Sequence, residues 1–142
     1  MSEILKKENI YLNCELEDKE AVIRRIGEIF VKDGYATDQY TRAMLEKEKV
    51  FNTAIGSSLA IPHGIESMKD QVLQSGIVVM TFPQGLPWGE QEIVKLVVGI
   101  AARGDEHIDI LSNIATHCAS EEETEKIIRS SRDEIYEFFA GV

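Results

Sequence analysis

The run Leu96-Val97-Val98-Gly99-Ile100, set within the longer segment from Ile93 to Ala101, constrains this chain more than any other stretch. It has no polar side chain, and an extended backbone sends successive side chains to opposite faces, so neither face is suited to water. Such a strand belongs in the middle of a sheet covered on both sides. A second strand, Ile77-Val78-Val79-Met80-Thr81-Phe82, ends against Pro83 and precedes a turn-rich loop, Gln84 to Gly89. The covering layers are visible as amphipathic helices. Residues 19–33 place Val22, Ile23, Ile26, Ile29 and Phe30 at helical spacing, with Asp18 as N-cap and Gly34 just past the end. Thr37 caps a second helix over 38–48, with Tyr40, Met44 and Leu45 inward and Arg42, Glu46, Lys47 and Glu48 along its flanks; the short turn between the two predicts a helical hairpin. Ala54-Ile55-Gly56 and Leu59-Ala60-Ile61 read as short strands split by Ser57-Ser58, the second ended by Pro62. Further helices are predicted over 105–119, over 121–129 behind a Ser120 cap, and over 133–140. The reading is an α/β fold: a three-layer domain, a mixed β-sheet flanked by α-helices, with residues 1–142 forming one domain.

Composition narrows the function. Twenty-five acidic against fifteen basic residues give a net charge of −10, which argues against a nucleic-acid binder or docking on anionic lipid. The densest acidic run, Glu121 to Glu123 with Glu125, reads as a solvated helix start. Cys14 and Cys118 form neither a disulfide framework nor a C-x-x-C pair, and read as reduced thiols. Residues 1–8 lack the apolar core of a secretory signal, and no apolar run is long enough to span a bilayer; the expectation is a cytoplasmic protein.

Three histidines can be weighed one by one. His63 follows Ile61-Pro62 and precedes Gly64, so it stands past a strand's carboxyl end, between a residue that fixes the backbone and one that lets it approach a ligand closely. His107 opens the helix after the strong strand and heads its apolar stripe with Leu111, Ile114 and Cys118. If the two preceding strands are parallel, His63 and His107 converge on one sheet edge beside a helix N-terminus, whose amides suit a phosphate. His117 lies on the stripe's flank and reads as surface or structural. An imidazole is a competent nucleophile near neutrality, and a second one can hold phosphoryl oxygens or fix the first ring's tautomer. Asn52, Thr53, Ser58 and Arg103 are nearby polar candidates. There is no zinc-type histidine motif, no nucleophile elbow and no P-loop, and no cofactor is implied.

Two segments, Gly56-x-x-x-Ala60-Ile61-Pro62-His63-Gly64 and Gly99-Ile100-Ala101-Ala102-Arg103-x-x-Glu106-His107, resemble the enzyme IIA component of the sugar phosphotransferase system, mannitol/fructose class. Met44 to Lys49 and the Phe82-Pro83-x-Gly85-x-x-x-Gly89 loop are most similar to the mannitol branch. The resemblance implies a phosphocarrier. His63 would accept the group from phospho-HPr, on the ring nitrogen farther from the backbone, and pass it to a cysteine of a mannitol enzyme IIB. His107 would be the partner histidine. Mannitol-type members carry an arginine sixteen residues before the active histidine; here that position is Lys47, which keeps the charge and loses the bidentate fork. Lys47, Gly64 and Ser58 are the expected phosphate-stabilising groups. A fructose-specific enzyme IIA, and a regulatory protein of the nitrogen-related branch, are the alternatives.

Overall fold

The computed structural model describes residues 4–15, 17–64, 70–89, 92–104 and 106–140. Its strands are β1 (Ile10–Tyr11), β2 (Ala54–Gly56), β3 (Leu59–Ala60), β4 (Gly76–Pro87) and β5 (Ile93–Ala101). Its α-helices are α1 (Lys19–Lys32), α2 (Asp38–Val50), α3 (Glu106–His117), α4 (Glu121–Ile128) and α5 (Arg132–Phe139). The sheet order is β1-β4-β5-β3-β2. β1 runs parallel to β4 and β3 parallel to β5, while β4/β5 and β2/β3 are antiparallel, so the sheet is mixed as expected.

The apolar runs sort their side chains as a doubly covered strand must. Val78, Met80, Phe82 and Val97 join Val22, Ile23, Ile26 and Phe30 of α1 and Met44 of α2 on one face. Ile77, Val79, Leu96, Val98 and Ile100 meet Ile110 and Ile114 of α3, Ile127 of α4 and Ile135 and Phe139 of α5 on the other. Gly99 is required by the first contact: a Cβ there would stand 2.4 Å from Ile26 Cγ2, so α1 lies on β5 only because the side chain is missing.

Local chemistry accounts for the helix limits. Asp18 accepts from Ala21 N at 2.8 Å, and Gly34 takes the left-handed conformation (φ 79°) after α1. Ser120 caps α4, and Ser131 and Glu134 form a capping box on α5. Thr37 is the N-cap residue of α2 but does not cap it: its hydroxyl is engaged with the Gln71 side chain. Asp105, the expected start of the helix after β5, lies outside the described residues.

Four expectations are corrected. β1 has no counterpart in the sequence reading; two residues carry no periodicity, and it exists because β4 offers a parallel edge. α2 runs two residues past the expected end at 48, to Val50. β4 does not stop at Pro83 but continues to Pro87. Between the pairs Thr81↔Leu96 and Leu86↔Val94, residues 82–85 face Lys95 alone, and this bulge absorbs Pro83 while Gly85 turns at φ 85°. Glu48 is not a solvated flank residue: it is buried, for reasons given below.

Candidate functional site

The register of β3 on β5, Leu59↔Leu96 and Ala60↔Val97, puts the carboxyl ends of both strands on the same sheet edge. The alignment continues past β3, because Ile100 N–H donates to the Pro62 carbonyl at 2.9 Å. His63 follows directly. On the neighbouring strand, β5 ends at Ala101, and His107 stands in the first turn of α3. The two imidazoles are half-buried, with ring centroids 5.6 Å apart and planes inclined by 59°. The convergence expected from parallel strands is present.

His63 is oriented by its own backbone. Its Nδ1 lies 2.7 Å from the Ile61 carbonyl oxygen. A carbonyl can only accept, so Nδ1 carries the proton and the neutral ring keeps its lone pair on Nε2. The nitrogen farther from the backbone is therefore the one with a lone pair to offer.

The other expected groups divide. Gly64 stands beside His63, but its N–H donates to the Tyr40 hydroxyl at 2.9 Å instead of pointing to a ligand. Its missing side chain makes room for the Tyr40 ring, whose Cε1 would lie 2.5 Å from a Cβ. Ser58 is not brought to the site. It occupies the β2–β3 turn with φ 61°, five residues before His63, which is roughly 16 Å along an extended chain. The Lys47 ammonium lies 5.1 Å from the Phe51 ring centroid and makes no hydrogen bond to His63. Asn52 caps its own turn, accepting from Ala54 N at 2.8 Å. Arg103 ties the end of β5 to residues 73–75: its N–H donates to Ser75 Oγ at 2.9 Å and its guanidinium to the Leu73 carbonyl at 3.1 Å. The first amide of α3, Glu106 N–H, already donates to Arg103 O, so one of that helix's free donors is spoken for. His117 packs its ring on Phe138 and Phe139, as a structural residue does.

Thr53 belongs to a separate cluster. The buried Glu48 carboxylate accepts from Thr53 N at 2.8 Å, from the Thr53 hydroxyl and from Trp88 Nε1 at 3.1 Å, and pairs with Lys19 Nζ at 3.0 Å. Four donors around one carboxylate explain why a charged residue can sit inside. Both cysteines are free, Cys14 half-buried and Cys118 buried. Burial pushes both thiols up, Cys118 to about 12, so neither is a ready nucleophile near neutral pH.

Sequence reasoning counted Tyr40 as core and missed its hydroxyl. That hydroxyl donates to the Ile100 carbonyl at 2.9 Å while accepting from Gly64 N–H. A tyrosine on the buried face of a helix has to find such partners, and that was the available signal.

Comparison with known proteins agrees with this geometry. Residues 3–141 match the family described as phosphoenolpyruvate-dependent sugar phosphotransferase system, EIIA 2. The mannitol-specific phosphotransferase enzyme IIA component of Bacillus subtilis is 42% identical over 132 residues, covering 93% of this chain and 92% of the relative. That of Geobacillus stearothermophilus is 44% identical over 131 residues, covering 92% and 90%. Among solved structures, the Escherichia coli complex of mannitol enzyme IIA with phosphorylated mannitol enzyme IIB superimposes with a TM-score of 0.87 at 39% identity, over 97% of this chain and 99% of that one. No helix among the described residues is long and apolar enough to cross a membrane. With one family covering nearly its whole length and relatives above 40% identity, this chain belongs to the EIIA 2 family of the phosphoenolpyruvate-dependent sugar phosphotransferase system.

Proposed function

We propose that this chain is the cytoplasmic phosphocarrier of a mannitol phosphotransferase system, with residues 1–142 acting as one enzyme IIA unit. The observation that carries the reading is the His63 ring: Nδ1 is held by the Ile61 carbonyl, Nε2 keeps the lone pair, and His107 stands 5.6 Å away, centroid to centroid. In the first step, the Nε2 lone pair of His63 attacks the phosphorus of phospho-HPr. A new N–P bond forms, the N–P bond to the HPr histidine breaks, and that imidazole keeps the electron pair. The proton stays on Nδ1, donated to Ile61 O, throughout, so the ring needs no reorientation to accept or release the group. In the second step a cysteine thiolate of enzyme IIB takes the phosphoryl group and Nε2 regains its lone pair.

His107 is assigned to the phosphoryl oxygens, where a donor placed in advance stabilises the charge of the transition state. Lys47 contributes positive charge from α2 and would leave the Phe51 ring to do so. Gly64 supports the site by admitting Tyr40, and Ser58 is given no part in it. Ile108, exposed beside His107, and Leu73, exposed beside the Arg103 anchor, offer apolar contact to a partner's face. The relatives above are mannitol-specific, which favours mannitol over the fructose and nitrogen-regulatory readings.

The test is incubation with enzyme I, HPr and phosphoenolpyruvate, followed by assay for an acid-labile, base-stable phosphate and by chase with mannitol or fructose enzyme IIB. One phosphate per chain, discharged faster by the mannitol protein, is expected. A chain that takes no label is not a phosphocarrier, and faster discharge by the fructose protein moves the assignment to that branch.

A further inference from the structure

The hydrogen bonds around Tyr40 show an interrupted ladder. In a parallel pair, a residue that donates its N–H to position j−1 of the neighbour accepts, on its carbonyl, the N–H of position j+1. Ile100 donates to Pro62 O, so its carbonyl is due the N–H of Gly64. That rung is absent as a direct bond. Gly64 N–H donates instead to Tyr40 Oη at 2.9 Å, and Tyr40 Oη donates to Ile100 O at 2.9 Å. One hydroxyl is inserted where the next rung of the sheet would close. On one side of the insertion the β3 chain goes on as His63-Gly64; on the other the β5 chain goes on to α3 and His107.

We propose that Tyr40 is a positioning residue for phosphoryl transfer: its hydroxyl wedges the ends of the β3 and β5 chains apart and thereby sets the spacing of His63 and His107. The proposal rests on the phosphocarrier reading for its kinetic consequence, but not for its structural one. Three observations support it. Tyr40 is 5% exposed and its ring stands edge-on to Phe30, with centroids 6.4 Å apart, so α1 and α2 hold the ring from behind. Gly64 has no Cβ because a Cβ would meet that ring. Burial raises the phenol to about 12, so the hydroxyl keeps its proton, and the bond to Ile100 O, at any working pH.

Removing the oxygen has two structural outcomes. Either Gly64 N–H and Ile100 O close on each other, zipping the sheet one rung further and drawing His63 toward β5, or both stay apart without partners. The first shortens the gap between the imidazoles; the second leaves two buried groups unpaired, so the strand ends and His63 lose their fixed position. Tyr40→Phe is expected to slow single-turnover transfer from phospho-HPr about tenfold at saturating donor, with little change in half-saturation, and to shift the His63 Nδ1 and Nε2 signals in 15N–1H spectra. Ile23→Val, a core trimming on α1 that leaves the hydroxyl in place, lowers the unfolding midpoint while leaving rate and imidazole signals as in the parent chain. Gly64→Ala, which keeps the hydroxyl but displaces its ring, gives the same pair of changes if Tyr40→Phe does not fold. A folded Tyr40→Phe protein with parental rate and parental His63 signals overturns the wedge. A parent chain that takes no phosphate overturns the phosphocarrier reading alone, and the imidazole spectra then decide the wedge.

Discussion

The polar clusters around Glu48 and around His63 are closed to different degrees. Around Glu48, every donor meets an acceptor: a buried carboxylate collects Thr53, Trp88 and Lys19, and joins the start of α1, the end of α2, the approach to β2 and the end of β4. Around His63, one ring nitrogen is fixed by Ile61 and the other is left with a lone pair in a half-buried place. The first arrangement spends its polarity on the fold. The second leaves part of it open, as the proposed phosphoryl site requires. Satisfaction of hydrogen bonds, more than the mere presence of charged or polar side chains, separates scaffold from site here.

The sharpest way to break this comparison is to remove the nitrogen that was kept back. His63→Ala is expected to abolish the acid-labile phosphate altogether and to leave the unfolding free energy within about 1 kcal/mol of the parent chain, since the ring is not fully buried. Mass spectrometry after incubation with the phosphoenolpyruvate chain reads the label. Full labelling of the variant moves the nucleophile elsewhere.

Glu48 is the opposite case. Glu48→Ala leaves four donors facing an empty space, two of them on Thr53, and is expected to cost about 3 kcal/mol in urea unfolding, at the low end for breaking a buried ion pair because Lys19 keeps some access to water. Below its unfolding midpoint the variant still labels on His63. A stable Glu48→Ala protein that no longer accepts phosphate would place Glu48 in the site and dissolve the distinction.

This contrast also marks what the sequence could and could not reveal. Val22 to Phe30 and Leu96 to Ile100 declared their layers through periodicity, and Pro62-His63-Gly64 declared a strand end, because each is a local pattern. Glu48 looked like a flank residue because its neighbours Glu46, Lys47 and Lys49 are charged, and what buries it comes from Lys19 and Trp88, 29 and 40 residues away. Ser58 looked close to His63 because five residues are few in sequence; in an extended chain they are the length of a strand. The parallel pairing of β3 and β5 was the condition on which both histidines meet, and pairing is a property of distant segments that no window along the chain contains.

His107 tests whether the site's half of the comparison needs both imidazoles. His107→Ala is expected to slow transfer from phospho-HPr about tenfold, or about 1.4 kcal/mol of transition-state stabilisation, while the phosphate still appears on His63. A parental rate removes His107 from the chemistry; loss of all label makes it more than a stabilising partner.

The smallest expected effect concerns charge outside either cluster. The chain carries −10 overall, yet the cation assigned to the site, Lys47, sits over Phe51 and forms no bond to His63. An acidic surface around a locally positive pocket steers a basic partner face toward it without making the pocket itself anionic, and steering of that kind is screened once salt shortens the Debye length to about 8 Å. Raising ionic strength to the physiological range is therefore expected to slow second-order transfer from HPr about threefold, with the single-turnover rate at saturating HPr unchanged. If Lys47 acts as proposed on the bound phosphoryl group while the distributed acidic residues act on the encounter, Lys47→Ala is expected to lower the saturated rate by a similar factor and leave the salt dependence in place. If Lys47→Ala abolishes the salt dependence instead, the steering charge is that single ammonium; if neither change moves a rate, the acidic excess serves solubility alone.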